Sequence, residues 1–202
     1  MRLAEKFKGT TTVGLVFDGG VVLGAERRAT LGSMVESKAT KKIFKIDENL
    51  GMATSGLVGD AQYLVRYLRA EAALYKTSRG RPMSVKALVT LLSNILNQYK
   101  FSPYYVGLLV GGVDEEGPHL YSVDAAGGAI PDKYVSTGSG STFAIAIFES
   151  DFKEGLSEEE AVELAKKALT VAMERDVYSG NGIDIAVITK EGFKVLEFEV
   201  KR

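Results

Sequence analysis

The chain has no cysteine and only one histidine, His119, among its 202 residues. Lacking cysteine, it has no disulfide, no thiolate zinc site and no cysteine nucleophile. His119 follows Pro118 in a stretch that reads as a turn, has no second ligand at metal spacing, and is expected at the surface. No metal and no cofactor is expected. Charge of one sign is not in excess either: 25 Lys and Arg face 26 Asp and Glu, for a net charge of -1. No basic field therefore calls for nucleic acid. No apolar run approaches the ~20 residues of a membrane span. Residues Met1 to Lys8 are broken up by charge and have no apolar core, so they are not expected to be a secretory signal. A cysteine-free chain fits a reducing, cytoplasmic setting. Linkers, low-complexity tracts and internal repeats are absent, which argues for one domain.

What is present is a globular composition, 46% hydrophobic and 25% charged, long enough to bury a sizeable core. Thr11 to Phe17 is rich in β-branched residues and predicts a strand. Asp18-Gly19-Gly20 is a hairpin signal, and Val21 to Ala25 is the returning strand. Ile43 to Ile46 and Gly51 to Ser55 form a second pair. The period then changes. Leu57, Ala61, Leu64, Val65, Leu68 and Ala72 share one helical face, which Gly80 and Pro82 end. A second helix follows Ser84, with Val85, Leu88, Leu92, Ile95 and Tyr99 in phase.

Strands return at Tyr105 to Val113 and Leu120 to Asp124, around the turn Asp114 to Pro118. Tyr134 to Thr137 is a short strand, and Gly138-Ser139-Gly140-Ser141 opens a helix through Ile147. Ser157-Glu158-Glu159-Glu160 is a capping box before a helix with Ala161, Ala165, Ala168, Leu169 and Ala172 on its buried stripe. Ile183 to Thr189 and Phe193 to Val200 make a final hairpin. Strands joined by turns argue for antiparallel sheets. Helices in pairs argue for a pair on each outer face. The expected architecture is an α+β, four-layer α-β-β-α sandwich of two antiparallel sheets.

The stretch that points to chemistry is Gly9-Thr10-Thr11-Thr12. By itself it reads as the start of a strand. A threonine behind a glycine can also become a new N-terminus after one cut, with a nucleophilic hydroxyl and a basic amine on a single residue. That is one of few routes to acyl transfer without histidine or cysteine. Gly138-Ser139-Gly140-Ser141 has no lysine after it and is no phosphate loop. Lys41-Lys42 reads on composition as a solvated charge pair. Asp60 and Asp124 read as turn-closing residues.

The whole set changes that reading. Gly9 to Gly14, Glu26-Arg27-Arg28-Ala29-Thr30, Lys41-Lys42-Ile43, Gly56 to Gln62, Leu91 to Asn94, Asp124 to Gly128, Ser136 to Ser141, Arg175-Asp176 and Ser179-Gly180 occur in one order. In that order the chain resembles the β subunits of archaeal proteasome core particles over nearly its full length. The resemblance implies an N-terminal nucleophile hydrolase fold and a threonine endopeptidase. It implies a propeptide of residues 1–9, cut off between Gly9 and Thr10, and a single domain of residues 10–202. Thr10 matches the nucleophile, Lys42 the catalytic lysine, and Glu26 its acidic partner, where many relatives carry Asp. Gly56 matches the oxyanion amide. Ser139, Asp176 and Ser179 match the residues that hold the new N-terminus. Arg28 matches a supporting position near the lysine.

The same likeness assigns a substrate pocket to Ala29, Thr40, Phe44 and Thr54, with the Thr30 backbone holding the substrate strand and apolar residues favoured before the cut. The partners it implies are proteasome α subunits, other β subunits in heptameric rings, unfolded polypeptides, and a regulatory ATPase acting through the α ring. Other readings are a β-type ring subunit that is structural, or immature until assembled, and the bacterial two-component relative of the proteasome. A binding module with an incidental Thr-rich strand leaves Glu26, Lys42 and Ser139 unexplained.

Overall fold

A computed structural model describes residues 9–200. Most of the expected propeptide, residues 1–8, lies outside that range. Twelve strands and four helices follow one another among the described residues. β1 (Thr11–Phe17) and β2 (Gly20–Glu26) form the first hairpin, with Thr12 opposite Ala25 and Phe17 opposite Gly20. β3 (Ala29–Leu31) and β4 (Met34–Ser37) make a small separate ribbon. β5 (Ile43–Asp47) and β6 (Leu50–Gly56) lead into α1 (Val58–Arg79) and α2 (Val85–Gln98). β7 (Val106–Asp114), β8 (Gly117–Val123), β9 (Ala129–Pro131) and β10 (Tyr134–Gly138) come next. They are followed by α3 (Ser141–Asp151), α4 (Glu158–Arg175), β11 (Ile183–Thr189) and β12 (Gly192–Phe198).

The strands form two five-stranded antiparallel sheets, ordered β10-β1-β2-β11-β12 and β5-β6-β7-β8-β9. Helices α1 and α2 cover the second sheet, and their apolar faces share a core with Leu50, Met52, Leu108 and Val110. Helices α3 and α4 cover the first, burying Phe148, Ala165 and Leu169 against Val13, Leu15 and Ile185. A third apolar cluster, including Leu23, Ala53, Leu109 and Ile188, lies between the sheets. The layers are therefore α-β-β-α, as the pairing of helices and the alternation of strands predict.

Local signals end the elements where expected. Gly80 caps α1 in the left-handed region at φ 68°. Ser84 caps α2, and Ser157 with Glu160 closes a capping box on α4. Several details differ from the sequence reading. α3 runs on to Asp151 rather than stopping at Ile147, and Tyr99 caps α2 instead of lying within it. His119 lies in β8, its Nε2 3.3 Å from Asp114 Oδ1, because the β7–β8 turn is tighter than Asp114 to Pro118 suggested. β12 ends at Phe198 rather than Val200. The sequence reading has no counterpart for β3, β4 and β9. These strands are three or four residues long and mostly exposed, so no apolar alternation marks them. Among the described residues no helix is long and apolar enough to cross a membrane.

Candidate active site

The first residues of β1 lie where several distant segments meet. Thr10 is buried in front of β1, which pairs with β10 on one side and β2 on the other. The Thr10 nitrogen donates to Ser139 Oγ at 3.2 Å. Ser139 donates in turn to Asp176 Oδ2 at 2.6 Å, and Ser179 donates to the same oxygen at 2.6 Å. Thr11 Oγ1 lies 2.7 Å from Ser179 Oγ, so the second threonine anchors the cluster from β1. Asp176 caps α4 at its C-terminal end, and the chain then turns back so that Ser179 faces it. The cluster is a chain of donors that leads from the Thr10 nitrogen to a carboxylate.

Glu26 ends β2, is fully buried, and pairs with Lys42, which precedes β5 and is almost as deeply buried. Lys42 Nζ also donates to the Arg28 carbonyl at 2.6 Å. Glu26 accepts from the backbone N–H groups of Thr11 at 3.2 Å, Arg28 at 2.7 Å and Gly180 at 3.0 Å. Burial pushes Lys42 below the ordinary lysine value, against the pull of the Glu26 charge. Burial pushes Glu26 up, opposed by Lys42 and the backbone amides. The composition-based view of Lys41-Lys42 as a solvated pair therefore holds for Lys41 and fails for Lys42. A buried lysine needs a buried partner, and Glu26 supplies it from 16 residues away.

Among the described residues Arg28 does not form the ion pair that its charge suggests. Its guanidinium donates to Asn181 Oδ1 at 2.8 Å and the Val177 carbonyl at 2.7 Å. It also lies against Gly180, where an added Cβ would fall 2.4 Å from it. Arg28 thus holds the segment that brings Ser179 and the Gly180 amide to the site.

A cavity of about 230 Å³ opens beside Thr10. Lys42 and Gly56 line it, as do all five residues assigned to substrate, Ala29, Thr30, Thr40, Phe44 and Thr54. The space suits one side chain rather than a whole small molecule. Gly56 ends β6 at φ 105°, and a Cβ there would lie 2.0 Å from the Tyr105 carbonyl oxygen, so only glycine fits. Gly9 is confined in the same way, since its Cβ would meet Thr30 Oγ1 at 2.3 Å and Tyr178 Cβ at 2.8 Å. Thr10 Oγ1 donates to the Gly9 carbonyl oxygen, which places the hydroxyl against the Gly9–Thr10 peptide.

Glu26, Ser139, Asp176 and Ser179 do not line the cavity; they brace the residues that do. The sequence reading missed Glu36, Lys41, Leu57, Val58, Gly59 and Ala61 on its wall. Glu36 belongs to β4, a strand too exposed to announce itself. Val58 and Ala61 open α1 immediately after Gly56, so their place beside that glycine was the available signal.

A family model described as proteasome subunit matches residues 6–188. The chain belongs to the proteasome subunit family. It is 56% identical over 189 residues to proteasome subunit beta of Methanocorpusculum labreanum, covering 93% of this chain and 89% of that one. It is 52% identical to proteasome subunit beta 1 of Thermococcus gammatolerans, covering 94% of each chain. It is 53% identical to proteasome subunit beta 2 of Pyrococcus abyssi, covering 97% of this chain and 94% of the relative. The two-sheet sandwich with four helices agrees with membership of the proteasome family.

Proposed function

We propose that this chain is the catalytic β subunit of a proteasome core particle, a threonine endopeptidase that matures by cutting itself between Gly9 and Thr10. The observation that carries this reading is the shared cavity. Thr10, Lys42 and Gly56 line it together, while the Thr10 nitrogen rests on Ser139.

In maturation, Thr10 Oγ attacks the Gly9 carbonyl carbon. The Gly9–Thr10 C–N bond breaks as its nitrogen takes a proton, leaving an ester. Water hydrolyses the ester, which releases residues 1–9 and frees the Thr10 amine. In proteolysis the same hydroxyl attacks a substrate carbonyl, the substrate C–N bond breaks as the leaving amine takes a proton, and water hydrolyses the resulting acyl-enzyme ester to free the hydroxyl again. The freed Thr10 amine takes the hydroxyl proton in the attack, since such amines titrate near ~7.7–8.0. The Lys42 charge favours alkoxide character on Oγ, and Glu26 holds that ammonium in place. The Gly56 N–H stabilises the oxyanion, a role worth ~2.7–4 kcal/mol of barrier in comparable sites. Ala29, Phe44 and Val58 on the cavity wall favour an apolar side chain before the cut. The working form is a heptameric β ring stacked on rings of α subunits. It degrades unfolded polypeptides admitted through the α ring by a regulatory ATPase.

The test assembles this chain with its α subunit and follows intact mass and fluorogenic peptide hydrolysis. Wild type is expected to lose residues 1–9 and to gain activity. Thr10→Ala is expected to assemble, keep its full mass and hydrolyse nothing. Normal turnover by Thr10→Ala would refute the assignment.

A further inference from the structure

Thr12 is the third threonine of the Thr10-Thr11-Thr12 run, and the chemistry above gives it no role. It is fully buried, two residues beyond Thr10 on β1. Its hydroxyl oxygen lies 2.6 Å from Thr137 Oγ1, on the neighbouring strand β10 in direct register. Thr137 Oγ1 lies 3.2 Å from Ser55 Oγ, which comes from β6 in the opposite sheet. Ser55 donates to the Gly107 carbonyl on β7 at 3.0 Å. Each hydroxyl has one proton, and Ser55 commits its own to Gly107. Thr137 therefore donates to Ser55, and Thr12 to Thr137. The result is a one-way chain of hydroxyls that crosses from the first sheet to the second.

Each member is within two positions of a residue of the site. Thr12 follows Thr10 by two positions, Thr137 precedes Ser139 by two, and Ser55 directly precedes Gly56. The packing between the sheets is otherwise built from side chains such as Leu23, Leu109 and Ile188. Apolar contact sets the spacing of two layers but gives no direction within the plane, whereas hydrogen bonds do. Ser136 Oγ adds a bond to the Thr12 carbonyl at 2.7 Å, which ties β1 to β10 beside the same pair.

We propose that Ser55 and Thr137 are positioning residues that lock the Gly56 amide to the Thr10 nucleophile across the two sheets. The inference rests on the protease reading above. It assigns these hydroxyls to the alignment of attack with oxyanion stabilisation, not to substrate contact.

Thr137→Val keeps the shape and breaks the chain at its middle, Thr137→Ser restores the hydroxyl, and Ser55→Ala removes one oxygen. In the assembled particle, Thr137→Val and Ser55→Ala are expected to lower kcat for a fluorogenic peptide about tenfold. That is short of the roughly 10²-fold that a 1 Å misplacement can cost. KM stays near wild type. Affinity for a peptide boronate, which forms a tetrahedral adduct on Thr10 Oγ, falls in the same proportion as kcat. Thr137→Ser returns both values to near wild type. Should Thr137→Val fail to assemble, Ser55→Ala decides alone. Unchanged kcat, a loss that only follows the loss of assembled particle, or no rescue by Thr137→Ser overturns the proposal. A wild type without peptidase activity fails the protease reading itself, and the positioning role with it.

Discussion

Lys42 and Glu26 show most clearly how one residue acquires its chemistry from another. Alone, either charge would be costly in this interior. Together they are stable because Glu26 also accepts three backbone N–H bonds, and Lys42 donates to the Arg28 carbonyl. The balance sets a pH dependence. Burial lowers the Lys42 pKa, and the Glu26 charge partly restores it. If the ammonium assists Thr10, activity falls as pH rises through that lowered value, earlier than for an exposed lysine. Glu26→Gln removes the restoring charge, so the alkaline limb of the kcat profile is expected to move to lower pH. An unmoved limb in a pH series of peptide hydrolysis would remove Lys42 ionisation from the rate.

At the scale of elements, helix ends and strand ends deliver the site. α4 carries Asp176 at its C-terminal cap, and its N-terminal end is fixed by the Ser157 and Glu160 box. The 18 residues between them span roughly 27 Å at ~1.5 Å per residue. Ser157→Ala removes one cap bond and is expected to cost about 0.5–2 kcal/mol of stability. At that distance kcat per assembled particle stays at the wild-type value. Thermal melting and peptide hydrolysis on the same sample check both halves, and a matching loss of kcat would show that α4 relays strain to Asp176. The capping box, the Gly80 stop and the alanine stripe of α4 were all legible in the sequence, because each is a local pattern. β3, β4 and β9 were not, since their short exposed strands depend on a neighbour rather than on their own apolar alternation.

Across the whole molecule the two sheets must approach closely for residues of both to share a cavity. Glycines on the facing strands allow it. At Gly111 an added Cβ would lie 2.8 Å from Val21 Cγ1 and 3.3 Å from Leu23 Cδ2, side chains of the opposite sheet. Gly111→Ala is expected to push the layers apart at a cost of about 1–3 kcal/mol. Urea unfolding measures it, and a midpoint equal to wild type would mean that Val21 and Leu23 repack freely. The four layers themselves were predictable, because turn-linked strands and paired helices leave few other ways to bury both sheet faces.

The order of the four helices and the longer strands, the caps at Gly80, Ser84 and Ser157, and the site residues carried by motifs between Gly9 and Ser179 were present in the sequence, because periodicity, turn chemistry and motif order are written along the chain. Tertiary structure decided the contacts that no motif states. It turned Arg28 onto Asn181 and Val177, and joined Thr12 to Ser55 through Thr137. The cost of a buried charge or hydroxyl is met only by partners in space, and those partners come from segments far apart in the chain.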